Sequence, residues 1–501
     1  MSLKASLSKP YAQWVTKRAM RHAMDAVGAQ EKVLRMLMRS AAGTSFGKEH
    51  RFGDVCDHAS LTAAAPLRDY EGFRPYIDRI VAGERDVLWP GQPLYLCKTS
   101  GTTSGAKHIP ITRQSLPNHI NSARNALLSY IARTGNTAFV DGKMIFLQGS
   151  PVLDKKGAIP TGRLSGIVAN HVPAYLQRSR LPGYATNIIA DWETKVEAIV
   201  GETMTEDMRL ISGIPAWTQM YFERLLTRTG KRNVKEVFPQ FSLFVYGGVN
   251  YAPYRDRMRT LIGGEVDSIE LFPASEGFIA YQDRHDEEGL LLVVDNGIYY
   301  EFIPLGPPGT SAASELPKRI PLAKVQLGIN YALVLHTNAG LWGYDIGDTV
   351  RFVSLFPPRI VVTGRTKHFT SAFGEHVIAE EVEGALKEAM AGMSCEVSEF
   401  TVAPQTAPKE GGLPYHEWFV EFAAPPSDLS RFAALLDAAM VKRNVYYKDL
   451  IAGSVLRPLL VTVVARGGFT RWMKARGVND AQSKVPRLAN DRKYVDGLIP
   501  N

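Results

Sequence analysis

Cysteine is scarce: three residues in 501, Cys56, Cys97 and Cys395, odd in number and far apart. That excludes a disulfide framework and a cysteine-rich zinc site, and it points to a reducing compartment. Long apolar runs are missing too. No window holds the about 18 apolar residues that a membrane-spanning helix needs, so a cytoplasmic protein with no membrane association is expected. The opening MSLKASLSKPYAQWVTKRAMRHAM has no apolar h-region and does not read as a secretory signal. It reads instead as an amphipathic first helix, with Trp14, Met24, Val27, Leu34 and Leu37 on one stripe. Clustered positive charge is also absent. The net charge is +8, yet no run of five Lys or Arg occurs. A nucleic-acid partner is therefore not expected, and the excess implies a mild attraction for small anions.

What is present is ordinary for a globular protein, 45% hydrophobic and 22% charged, and the length implies about two to four domains. Residues 11–75 read as helices. Beyond them short apolar runs (LYLCK, KMIFLQ, MRLISG, SLFVYGG, VDSIELF) alternate with helical patterns such as AWTQMYFERLLTRTG, which is closed by Gly230. Alternation of this kind predicts an α/β fold, a mostly parallel sheet flanked by helices. From Leu290 the texture becomes strand-rich with turn signals, which predicts a small β subdomain over about 290–363. After GRTKHFTSAFGEH, helical and strand patterns mix again. This predicts a large N-terminal domain over 1–365 and a smaller C-terminal α+β domain over 366–501.

The segment KTSGTTSGAKHIPIT, Lys98 to Thr112, follows an apolar run and is crowded with hydroxyl side chains. It is not a Walker A loop, because Gly101 and Gly105 enclose three residues, Ala106 precedes Lys107, and His108 follows. A nucleophile elbow would need G-x-S-x-G after a strand, which neither this loop nor GRLSG supplies, and the histidines give no H-E-x-x-H metal motif. Glycines that let backbone N–H groups converge, hydroxyl donors and one lysine suit a phosphate cradle. They suit a solvated linker equally well. In VYGGVNY, Gly247 and Gly248 end a strand where a flat base could approach the backbone. In LFPASEGFIAYQD, Ser275 and Glu276 end another, and a carboxylate there calls for a cation. In GLWGYDIGDTVRF, Asp348 sits in a tight turn. It fits a turn-forming aspartate best, with acceptance from ribose hydroxyls as the other reading.

Taken in order, these stretches resemble the core motifs of adenylate-forming enzymes. More closely, the chain is similar to the auxin-responsive promoter (Gretchen Hagen) family of acyl acid amido synthetases, in particular its bacterial branch. The matching stretches include SGTTSGAKHIPIT, SGIPAWTQMYFERLL, YGGVNYAPYRDRMRTLIG, ELFPASEGFIAYQD, NAGLWGYDIGDTVRF, VTGRTKHFTSAFGEHV and QSKVPRLANDR. They run from about residue 11 to the C-terminus.

The resemblance implies ATP and Mg²⁺ as cofactors, with a small carboxylic acid and an amino acid as substrates. It implies that Ser100, Thr102, Thr103 and Ser104 hold ATP phosphates with Lys107 nearby. Gly247 and Gly248 would flank adenine, and Ser275 would touch the α-phosphate. Glu276 would bind the metal, Tyr344 would line the nucleotide pocket and Asp348 would take the ribose. Arg365 and Lys367 would lie at the hinge between domains, and Lys484 would be the catalytic lysine of the C-terminal domain. Two departures stand out. The family often has Arg where Gly343 stands, which implies a changed surface or acceptor contact. It often has Gly-Gly where Asp480-Ala481 stands, which implies a stiffer loop before Lys484. The implied activity is adenylation of the acid followed by amide formation. An acyl-CoA ligase sharing the first step, and a non-catalytic nucleotide binder, are the competing readings. No general base is identified. His171 is a candidate, although a structural histidine is the simpler reading. Trp217, Met220 and Tyr221 suit either the wall of an acid pocket or helix core, core being favoured. No obligate protein partner is evident.

Overall fold

The structure is a computed structural model. It describes residues 3–99, 107–172, 177–189, 192–248, 251, 254–305, 318–365, 369–370, 372–375, 377–408, 411–475, 487–489, 491–492 and 495–498. The chain opens with helices α1 (Leu3–Met24) and α2 (Ala26–Ala41). Strands β1 (Tyr95–Thr99) and β2 (Lys107–Ile111) then form an antiparallel pair, with Thr99 opposite Lys107. They belong to a four-stranded sheet ordered β2-β1-β5-β4, where β4 is Asp154–Lys156 and β5 is Ile159–Gly162.

The large sheet has twelve strands among the described residues. Its parallel part contains β3 (Lys143–Phe146), β6 (Arg180–Leu181), β7 (Met208–Ser212), β8 (Leu243–Gly247) and β9 (Asp267–Ala274), laid side by side as β6-β3-β7-β8-β9. The rest is antiparallel: β10 (Gly277–Tyr281), β11 (Leu290–Leu292), β12 (Ile298–Pro304), β13 (Ile320–Pro321), β14 (Asn330–Thr337), β15 (Tyr344–Leu355) and β16 (Pro358–Arg365). The strand-rich stretch read from the sequence is thus continuous with the main sheet, joined to it where β11 pairs with β16.

Burial is nearly continuous along β8 and runs through the middle of β3 and β7, as a sheet covered on both faces requires, with successive side chains facing opposite sides. Met144, Leu210, Leu243 and Val245 pack on one side with helix Leu116–Thr134, while Ile145, Ile211, Phe244 and Tyr246 pack on the other with helices Pro215–Thr229 and Arg255–Ile262. Helix Pro215–Thr229 begins on Pro215 and stops at Gly230, whose φ of 66° only glycine adopts freely.

The expected stripe of the first helix is corrected. Leu34 and Leu37 are buried, but Trp14, Met24 and Val27 are exposed. The chain breaks between α1 and α2 at Asp25, so one periodic stripe cannot run through both helices. The inward face of α1 is built from small residues instead, Ala5, Ala12, Val15 and Ala23, which allow close approach to helix Leu116–Thr134.

Beyond Arg365, β19 (Glu396–Gln405), β20 (Tyr415–Ala424) and β21 (Leu460–Val464) form a three-stranded sheet. It is preceded by the short pair β17 (Phe369–Thr370) and β18 (Val377–Ile378). Helices Ala379–Ala391 and Leu429–Arg443 complete the smaller unit. Asp428 caps the second of these by accepting from the Arg431 N–H. The core of this unit runs on into that of the larger one, and the Tyr254 hydroxyl donates to the Ala372 carbonyl at 2.6 Å.

Candidate active site

Parallel strands present their carboxyl ends on one side, and ligands bind there in open α/β sheets. Here those ends are Phe146, Ser212, Gly247 and Ala274. Ser275 and Glu276 make the turn from β9 into β10. Glu276 is buried, 8% exposed, and its Oε1 accepts from the Tyr344 hydroxyl at 3.2 Å. Ser275 Oγ lies 3.3 Å from the Cys97 thiol on β1. That contact ties the strand leading into residues 100–106 to the turn carrying Glu276. Burial pushes the Cys97 thiol up to about 12, so it stays protonated and is no nucleophile.

Gly247 and Gly248 stand at the end of β8. A Cβ at Gly247 would lie 2.4 Å from the Leu271 carbonyl oxygen, so the strands approach too closely for a side chain. Gly248 has φ of +80° and nothing within 4 Å of where its Cβ would be, which leaves open space over the backbone. A flat base fits such a surface. Asp348 lies within β15, four residues beyond Tyr344, and not in the tight turn that was expected; it pairs in register with Arg365 at the end of β16. Lys107 opens β2 opposite Thr99. Ser100, Thr102, Thr103, Ser104, Lys367 and Lys484 lie outside the described residues.

Tyr344 is backed by a buried polar chain. His336 Nδ1 accepts from the Gly343 N–H at 3.2 Å, and His336 Nε2 lies 2.8 Å from Glu301 Oε2. An Nδ1 that accepts leaves the proton on Nε2, which donates to the carboxylate. Arg319 completes the chain by donating to Glu301 at 2.8 Å and to the Thr62 and Ala65 carbonyls. Gly343 itself is buried with φ of +59°, and a Cβ there would come 2.6 Å from the Pro66 carbonyl oxygen. The Arg-to-Gly departure is therefore a buried turn, not a surface or acceptor contact.

His171 stacks edge-on to Tyr95, whose hydroxyl lies 2.9 Å from Nε2. Tyr95 begins β1, so His171 is held against the start of that strand. Tyr221 is core, 1% exposed and bonded to Thr203. Trp217 and Met220 are half-buried near the start of the helix that follows β7.

Two features escaped the sequence reading. Lys195 is buried and donates to the Gln148 and Asn187 carbonyls at 3.3 and 2.8 Å; burial and the neighbouring Arg163 charge bring its ammonium down to about 8. Arg163, directly after β5, reaches the C-terminal unit. Strands as short as β4 and β5 carry no readable period, which hid its position.

Residues 16–186 match the GH3 family N-terminal domain, 291–365 the GH3 family central domain and 380–493 the GH3 family C-terminal domain. The chain is 21% identical to an indole-3-acetic acid-amido synthetase, GH3.3, of Arabidopsis thaliana, over 92% of this chain and 89% of that protein. In structure it is similar to the AtGH3.15 acyl acid amido synthetase solved with 2,4-DB, with a TM-score of 0.62, 16% identity and coverage of 97% and 95% of the two chains. It is also similar to a 2-hydroxyisobutyryl-CoA ligase solved with 2-HIB-AMP and CoA, with a TM-score of 0.56, 15% identity and coverage of 96% and 92%. With its N-terminal, central and C-terminal regions all matched in order, the chain belongs to the GH3 family.

Proposed function

We propose that the protein is an ATP- and Mg²⁺-dependent acyl acid amido synthetase that works in the cytoplasm on a small carboxylic acid and an amino acid. We place it in the bacterial branch of the family on its motifs. The observation that carries the reading is the buried Glu276 carboxylate at the carboxyl end of the sheet, tied through Ser275 and Cys97 to the strand that enters the hydroxyl-rich loop.

A carboxylate acylates poorly because its oxygen is a poor leaving group. In the first step its oxygen attacks the α-phosphorus of ATP and pyrophosphate departs, giving an acyl-adenylate. In the second, the amino acid's amine attacks the acyl carbon, loses a proton, and AMP departs. Both steps move charge onto phosphate oxygens, where fixed donors and cations lower the barrier. Ser100, Thr102, Thr103 and Ser104 would donate to the phosphates with Lys107, and Ser275 to the α-phosphate. Gly247 and Gly248 would carry the adenine, Tyr344 the pocket wall and Asp348 the ribose.

No group of three or more metal-binding side chains occurs among the described residues. A single carboxylate such as that of Glu276 suits Mg²⁺, which is usually bound through one or two carboxylates plus phosphate oxygens and water. When bound there, the ion would neutralise developing phosphate charge. Residues 366–501 would form a mobile domain, hinged at Arg365 and Lys367, that brings Lys484 over the phosphates. The protonated, buried Cys97 agrees with a route that needs no covalent enzyme intermediate.

The test supplies ATP, Mg²⁺ and a turned-over acid with an amino acid and CoA together, and identifies products by mass spectrometry. An acyl-amino acid amide is expected. An acyl-CoA thioester without amide would overturn the amide-forming step and leave the adenylation site standing.

A further inference from the structure

One helix of the C-terminal unit rests against the strands that frame the hydroxyl-rich loop. Val445–Ala452 is eight residues long and is capped by Asn444, which accepts from the Tyr447 N–H. Its inner face is fixed: Tyr447 and Leu450 are buried, and the Tyr447 hydroxyl donates to Asp437 at 2.6 Å. Tyr446 and Asp449, three residues apart, share a different face. Both meet Arg163. The guanidinium lies 4.4 Å from the centre of the Tyr446 ring, and it pairs with the Asp449 carboxylate. The Tyr446 hydroxyl also donates to the Lys98 carbonyl at 3.4 Å, two residues before the loop begins.

Arg163 occupies an odd place. It is the N-cap of helix Leu164–Ala169, where Ser, Thr, Asp or Asn would bond the helix N–H groups, and its side chain makes no capping bond. Instead it packs over Gly149, where a Cβ would come 3.2 Å from Arg163 Cδ. Because Cys97 pairs with Gly162 in register, Arg163 stands level with Lys98 at the loop entrance.

We propose that Arg163, Tyr446 and Asp449 form a reversible latch that seats the C-terminal domain at the entrance of the phosphate loop in one of its two working positions. Arg163 is a positioning residue in this account. The inference rests on the two-step reaction proposed above. The contacts are of the right strength for a switch. The Arg163 and Asp449 side chains are 32% and 51% exposed. An exposed ion pair and a stacked ring together shift a population about tenfold, enough to bias a domain without locking it.

Asp449→Asn keeps the shape and removes the charge. Pyrophosphate release and adenylate discharge by the acceptor are to be measured separately. The step carried out in the latched position should fall about two- to fivefold, the share of the ion pair alone, and the other should stay unchanged. The exchanged pair, Arg163→Asp with Asp449→Arg, should recover most of the loss that either single change causes. Hydrogen exchange of residues 445–452 in the ligand-free protein should speed up in Asp449→Asn and slow again in the exchanged pair. That readout needs no reaction, so it survives if the proposed chemistry fails. Equal effects on both steps, or unchanged exchange, would overturn the latch. A wild-type protein that releases no pyrophosphate with any acid, yet shows the exchange pattern, would overturn the reaction and leave the contact.

Discussion

Glu276→Gln separates charge from shape at the candidate metal ligand. Glu276 is 8% exposed, and its Oε1 accepts from the Tyr344 hydroxyl. A glutamine amide oxygen can accept the same bond, so the packing should survive and the melting temperature should stay close to wild type. What disappears is the negative charge that, in the proposed role, would hold Mg²⁺ against the phosphates. Removing a preorganised electrostatic contributor of this kind costs about 10²–10³ in rate, or about 2.7–4 kcal/mol. Tyr344→Phe is the matched control. It keeps the carboxylate and deletes one hydrogen bond to it, for about 0.5–1.5 kcal/mol, which is roughly two- to tenfold. The assay is acid-dependent pyrophosphate release over a range of Mg²⁺ concentrations. Glu276→Gln should be nearly inactive and should need more Mg²⁺ for whatever activity remains. A folded variant with wild-type release and an unchanged Mg²⁺ requirement would refute the assignment, and with it the account of the β9–β10 turn as the metal-facing element.

Three further outcomes are expected. Lys484→Ala should slow one half-reaction far more than the other when pyrophosphate release and adenylate discharge are followed separately; small and equal losses would remove Lys484 from the chemistry. His119 is fully buried, and burial holds its imidazole down to about 4. The unfolded chain takes up that proton near pH 6.5. The stability this neutral histidine confers is thus complete above about pH 6.5 and lost as pH falls toward 4, about 3 kcal/mol across that window. His119→Leu should flatten this acid limb in urea titrations between pH 7 and pH 4, and parallel limbs would contradict the argument. Gly343→Arg, which restores the commoner family residue, should destabilise the protein, because φ is +59° and the Pro66 carbonyl blocks the Cβ. The backbone penalty alone is about 1–2 kcal/mol, and a wild-type melting temperature would show that the turn relaxes freely.

The elements that the sequence reveals are those whose pattern is complete within their own length. MRLISG, SLFVYGG and VDSIELF are apolar runs bounded by turns, and they are β7, β8 and β9. The helix over Pro215–Thr229 announces its end in Gly230. Strands β4 and β5 are three and four residues long, too short to show a period, so the sheet that frames the loop went half unread. The first helix misled for the opposite reason. Its large apolar residues are periodic, yet tertiary packing chose the small ones, because alanines let α1 come close to its neighbour.

The site is legible as a set of residues and illegible as an arrangement, and the difference has a physical origin. Gly247 and Gly248 lie at a strand end and Ser275 and Glu276 in a turn, where glycine, hydroxyl and carboxylate residues break the apolar pattern and therefore stand out. Their mutual placement depends on pairings between distant segments. Ser275 meets β1 only because Cys97 Sγ reaches it across two different sheets, 178 residues apart. Tyr344 reaches Glu276 only because β15 belongs to the same sheet as β9 and β10, with β16 and β11 between them. Behind Tyr344, His336 and Glu301 fix Gly343, and Arg319 ties that carboxylate to the Thr62 and Ala65 carbonyls. None of those three side chains is marked by a local pattern, because each is polar within a run that is otherwise core. A buried charge is tolerable only when its partners are in place. The polar chain behind Tyr344 is therefore assembled by the fold as a whole, and its residues become recognisable only once their partners are known.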